Sequence, residues 1–110
     1  MSKNKEAIGN SRRSEFEKLF ENVDETERKL VDRLITEAVF CEEQLTQLKT
    51  LPFIAVNPNN PQQQKITSAA RLYKDYSASY RDTIRIMLNI LRKVESDEQN
   101  ELLRRLEEFA

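Results

Sequence analysis

NPNNPQQQK, from Asn57 to Lys65, interrupts a chain that otherwise repeats apolar residues at helical intervals on both sides of it. Pro58 and Pro61 each fix a backbone φ angle and remove an amide donor, while the asparagines and three consecutive glutamines offer no apolar face to bury. No helix runs through such a stretch, but long helices can meet across it. The expected fold is therefore all-α: a small helical bundle built on two long antiparallel helices, with a short N-terminal helix and an acidic C-terminal one, completed by oligomerisation.

Upstream of the interruption, Pro52 disfavours helical geometry at Leu51, so the first long helix should fail around Thr50. Leu51, Phe53, Ile54 and Val56 then make a short extended apolar segment. A lone strand has no partner in a helical chain. The segment is expected either to lie against the helices as a packed loop or to pair with a strand of another copy, within a linker covering 51–66.

The first long helix, expected over 24–50, is announced by Val23–Asp24–Glu25–Thr26–Glu27: Asp24 can accept from the free amides of the first turn and Glu27 holds the reciprocal capping position. Leu30, Leu34, Ala38, Cys41, Leu45 and Leu48 recur at spacings of three or four, and Val31, Ile35 and Val39 broaden the stripe, implying more than one helical neighbour. Phe40 falls outside it, covered by the N-terminal helix or used between subunits. Before this helix, RSEFEKLFEN (13–22) sets Phe16, Leu19 and Phe20 at helical spacing, in a helix too short to stand without docking its aromatic face. Residues 1–12 are polar, hold the only glycine and show no period. They read as a flexible arm ahead of a single helical domain at 13–110, with Lys3, Lys5, Arg12 and Arg13 either solubilising it or contacting phosphate.

Downstream, Thr67 or Ser68 should cap a second long helix reaching about Lys93. Its main stripe is Ala69, Tyr73, Tyr76, Tyr80, Ile84, Met87 and Leu91, a run suited to a core or oligomer contact, or through its tyrosines to base stacking. On another flank Lys74, Arg81, Arg85 and Arg92 fall within about 40° of one another, with Arg71 somewhat beyond. This basic ridge suits phosphate oxygens, or ion pairs with the acidic first helix. Ser96 with Gln99 could cap a last helix over 96–109, whose Leu102, Leu103, Leu106 and Phe109 sit among glutamates. That segment is a candidate hook for a basic partner, a tail that folds back, or the end of one long bent helix.

Composition narrows the chemistry. The 110 residues predict one small domain, and with no histidine and one cysteine the chain can build neither an internal disulfide framework nor a thiolate–imidazole zinc site. Cys41, inside an apolar pattern, is expected as a small buried hydrophobe. The net charge of −1 conceals polarity: residues 65–93 carry a net +5 and residues 94–110 a net −4. No run approaches the roughly 20 apolar residues that span a bilayer, and MSKNKEAIGNS lacks the apolar centre of a leader, so the cytoplasm is the expected location. One glycine supports no GxxxxGK or GxGxxG loop, and no base accompanies the hydroxyl side chains. The expectation is a non-enzyme with no cofactor, no metal, no membrane contact and no small-molecule substrate.

Two stretches together carry a resemblance: FEKLFENVDETERKLVDRLITEAVFCEEQLTQLKT at 16–50 and NPNNPQQQKITSAARLYKDYSASYRDTIRIMLNILRK at 57–93. They resemble the compact small terminase subunits of tailed bacteriophages and of prophages in Gram-positive bacteria. The resemblance implies a homo-oligomer that engages double-stranded phage DNA and recruits or regulates the large terminase subunit, which carries ATPase and nuclease activity. In that setting Arg71, Lys74, Arg81, Arg85 and Arg92 would contribute phosphate contacts, and the acidic tail would meet the large subunit. Many members carry an N-terminal helix-turn-helix; here the long helix that would read bases is acidic. Two other functions fit the same residues: a helical adaptor or scaffold without direct DNA binding, and a small helix-turn-helix transcriptional regulator.

Overall fold

The structure, a computed structural model, describes residues 2–109, with helices α1 (Ser2–Leu19), α2 (Glu25–Leu48) and α3 (Ser68–Phe109) and strands β1 (Ile54–Asn57) and β2 (Asn60–Ile66). Helix accounts for 76% of the chain, and the small two-stranded sheet means that the fold is not purely all-α. The backbone of residues 2–7 and of Phe109 is described; contacts of Lys3, Lys5 and Phe109 lie outside the described residues.

The polar N-terminal stretch is not an aperiodic arm separate from the first helix: α1 is continuous from Ser2, running through Gly9. A glycine in a helix interior costs about 1 kcal/mol relative to alanine. A Cβ at residue 9 would lie 2.9 Å from Glu43 Oε1, the movable end of a flexible side chain, and 4.0 Å from Val39 Cγ1, so Gly9 faces α2 without being demanded by its packing. Phe16 and Phe20 are buried with Val23 of the turn, whereas Leu19 is 61% exposed, pointing off the docking face.

Asp24 is the N-cap of α2 as its sequence predicts, in extended geometry, with its carboxylate accepting from the Glu27 amide. Thr26 Oγ1 donates to the same carboxylate, and these two donors hold Asp24 below the usual carboxylate range. Val31, Ile35, Ala38, Cys41 and Leu48 are the buried residues of α2. The centre of the stripe therefore runs through Val31 and Ile35, and Leu30, expected within it, is half exposed. Cys41 is fully buried, and burial followed by the nearby Glu37 charge pushes its thiol up, away from reactivity.

Residues 54–66 correct the expectation of a packed loop. β1 and β2 form an antiparallel hairpin in the register Ile54↔Ile66, Ala55↔Lys65 and Val56↔Gln64, with an irregularity after Val56. Asn57 nucleates the turn: its Oδ1 accepts from the Asn59 amide at 2.9 Å and its Nδ2 donates to Gln63. The apolar segment thus finds its strand partner within the chain, in the glutamines of the punctuation itself. At the base, Thr67 joins hairpin to helix, donating its amide to Phe53 O and its hydroxyl to Pro52 O while accepting from the Ala70 amide as the N-cap of α3.

α3 is a single helix of 42 residues, and the expected restart at Ser96 does not occur. A capping box needs an interrupted backbone to cap, and residues 94–99 supply no glycine or proline to interrupt it. Met87 is buried in the core formed by Phe16, Phe20, Val23, Val31, Ile35 and Ala38, with Tyr80, Ile84, Ile90, Leu91 and Val94 packed around it. Of the main stripe, Met87 is buried in this core and Tyr80, Ile84 and Leu91 pack partly buried against it. Tyr73 meets Phe53 with ring centroids 5.2 Å apart, and Tyr76 meets Phe40 edge-on at 6.0 Å, so Phe40 has a neighbour on α3 while remaining 44% exposed. Contacts between α2 and α3 run in opposite chain order: Lys93 pairs with Glu27, Tyr80 with Glu42.

The result is long and thin, 80 × 32 × 19 Å, with a radius of gyration of 20.8 Å. A compact chain of this length has a radius near about 13 Å. Among the described residues no helix is long and apolar enough to cross a membrane.

Candidate nucleic-acid interface

The helical period of α3 sets its charges and its core on different flanks. With Met87 and Thr83 turned inward, Arg71, Lys74, Arg81, Arg85 and Arg92 are all exposed. Lys74 to Arg92 spans about 27 Å along the axis at 1.5 Å per residue. The acidic α2 does not neutralise this ridge. Among the described residues, the one ion pair on it joins Arg85 to Asp82 at 3.8 Å, on α3 itself, with both side chains more than two-thirds exposed. Such a pair holds little in water. Between the arginines lies a shallow groove of about 330 Å³ floored by Tyr80, Ile84 and Leu88. It offers guanidinium groups beside an apolar floor, a surface that can take phosphate oxygens or an acidic amphipathic segment.

The other basic residues behave differently. Arg12 donates Nε to both oxygens of Glu42, at 2.9 and 3.2 Å, and Nη1 to Glu15 at 2.7 Å, while its guanidinium stands 4.5 Å from the Phe16 ring centroid. Those bonds, from Glu42 first and Glu15 next, raise its already high pKa. Arg13 pairs with Glu17 and donates to Thr36 Oγ1. Both therefore bond within the chain, Arg12 to Glu15 of α1 and Glu42 of α2, Arg13 to Glu17 of α1 and Thr36 of α2.

Glu42 is the residue whose role the sequence conceals. Tyr80 Oη donates to its Oε2 at 2.6 Å, opposite the Arg12 fork, so one carboxylate joins α1, α2 and α3. Burial, then the bond to Glu42, pushes the Tyr80 hydroxyl up. The signal lies in spacing across three helices and becomes readable only once their contacts are known.

Leu102, Leu103 and Leu106 are each more than half exposed, on a part of α3 that reaches beyond the Glu27–Lys93 contact and does not fold back. Among the described residues no group of three or more acidic or thiol side chains is placed to hold a metal ion. Comparison of the chain with protein-family models, curated proteins and solved structures gave no match.

Proposed function

We propose that the chain is a non-catalytic DNA-packaging component, an oligomeric small terminase subunit that engages double-stranded phage DNA in the host cytoplasm and recruits or regulates the large ATPase/nuclease subunit. The observation that carries this reading is the basic ridge of α3, exposed over about 27 Å and, among the described residues, without cross-helix acidic partners. Resemblance over 16–50 and 57–93 supplies the biological setting. Oligomerisation is supported by shape: a radius of 20.8 Å against about 13 Å for a compact chain leaves the long helical pair with apolar surface that neighbouring copies would cover. Repeating the ridge around an oligomer would turn individually weak phosphate contacts into useful affinity.

Arg81→Glu combined with Arg85→Glu tests the ridge. DNA binding should weaken across unrelated sequences, and the slope of log affinity against log salt should fall by about 2 per copy engaged. Unchanged binding in the folded variant removes the ridge from the footprint. A helical adaptor without direct DNA binding is the second reading, favoured by the bare leucines at 102, 103 and 106. Binding of the large subunit without any DNA affinity would support it.

A further inference from the structure

Beside its ridge, α3 carries a second apolar stripe that the chain covers only at its border. Ile84 and Leu91 touch the core edge, while Leu88 is 45% exposed and Leu102 and Leu106 are 59% and 58% exposed. These residues fall within about 60° of one another, centred roughly 90° from the flank that faces α2. Their spacing is symmetric about Glu95: Leu91 and Gln99 lie four residues to either side, Leu88 and Leu102 seven, Ile84 and Leu106 eleven. A helix turned end for end presents the same stripe.

Charge fixes the orientation. The half before Glu95 carries Arg81, Arg85, Arg92 and Lys93 against Asp82, and the half after it carries Asp97, Glu98, Glu101, Glu107 and Glu108 against Arg104 and Arg105, two arginines that pair with Glu101 along the helix. Parallel pairing sets like against like along the whole helix; antiparallel pairing lays each net-basic half beside a net-acidic one, with Glu107 on the same flank as Arg81 and Arg85, and confines the like-charge contact on the seam to the two Glu95 side chains at the axis. The groove floored by Ile84 and Leu88 is then the seat for Leu106 and Leu102 of the second copy. We propose that α3 pairs antiparallel with α3 of a second copy about a two-fold axis at Glu95. The two-fold lies perpendicular to the plane of the two helices, so both basic ridges emerge on one face of the pair. This rests on the reading that the chain works as an oligomer, and gives that oligomer its isologous contact.

Cysteine cross-linking of the full chain in a Cys41→Ala background tests it. Glu95→Cys, at the two-fold, should form a disulfide dimer with itself under mild oxidation. Leu88→Cys alone and Leu102→Cys alone should not, because identical positions then stand about 21 Å apart along the axis. A mixture of those two variants should cross-link. Self-linking of Leu88→Cys would mean a parallel pair and overturn the proposal, as would failure of both Glu95→Cys and the mixture. Leu102→Glu with Leu106→Glu, outside the chain's own core, should weaken self-association at least 10-fold by light scattering with helicity retained. An oligomer that keeps its mass in that variant and shows no cross-link refutes this contact alone and leaves the oligomer reading standing; a chain that stays monomeric at every concentration refutes both.

Discussion

α3 is one helix in two surroundings. From Tyr73 to Val94 one face of it meets α2, Phe53 and the core around Phe16 and Phe20, and the Met87 side chain is 3% exposed. Past Asp97 the same three-and-four spacing continues through Leu102 and Leu106, more than half exposed. Apolar residues at helical spacing occur in both halves, parted by the polar run from Glu95 to Glu101, so the spacing is a statement about the helix and not about its neighbours. Burial depends on what else the chain brings alongside, and α2 starts at Glu25, opposite Lys93.

The sharpest way to break this comparison is to remove equivalent bulk from each half. Met87→Ala, at a side chain 3% exposed in the core, should cost about 2–5 kcal/mol in urea unfolding. Leu102→Ala, measured at concentrations where the chain is monomeric, should stay within about 0.5 kcal/mol of the parent. Equal losses would mean that the distal half has an intrachain partner.

Next in size is the carboxylate that clamps the inner half. Glu42→Gln keeps the shape and removes the charge that Arg12 and Tyr80 share. The expected loss is about 1–2 kcal/mol, discounted because the Arg12 side chain is 42% exposed. A double-mutant cycle with Arg12→Ala should show coupling between the two. Additive losses would reduce the network to independent surface contacts.

Helix positions were legible in the sequence where the signal was local: the Asp24 cap, the break after Thr50 and the Thr67 cap all rest on residues within a few positions of one another. The hairpin was not, because glutamines carry no strand signal and β2 is defined by pairing with Ile54–Asn57, a property of two segments together. α1 was cut short for a related reason: residues before Arg12 bring little apolar pattern, and the helix there lies along α2 across Gly9. The basic ridge was visible from azimuth alone. Whether α2 neutralised it was a question of geometry, as was the withdrawal of Arg12 and Arg13 into ion pairs.

The joint between helix and hairpin separates a third contribution. Thr67→Ala removes the cap of α3 and the hydroxyl bond to Pro52 at 2.7 Å, with an expected loss of about 1 kcal/mol. Hydrogen exchange should report where it falls: amides of β1 and β2, on a two-stranded ribbon exposed at every residue but Asn57, should exchange faster than in the parent, while those around Ile35 change little. Uniform acceleration would make the hairpin part of one cooperative unit with the bundle.

The smallest effect tests whether Tyr80 belongs to the clamped half by titration. Its folded-state pKa is raised above the ordinary 10.0, by burial first and by the Glu42 bond second, so folding favours the neutral phenol. Stability from this group is fully present below pH 10.0 and is lost as pH rises through the elevated folded value. Tyr80→Phe should cost about 0.5–1 kcal/mol at neutral pH, because Glu42 keeps Arg12 when the hydroxyl goes. It should also flatten the decline in melting temperature above pH 10.0. An unchanged alkaline decline would detach Tyr80 from the carboxylate and leave Arg12 as its only partner across helices, so the clamp would join two helices instead of three.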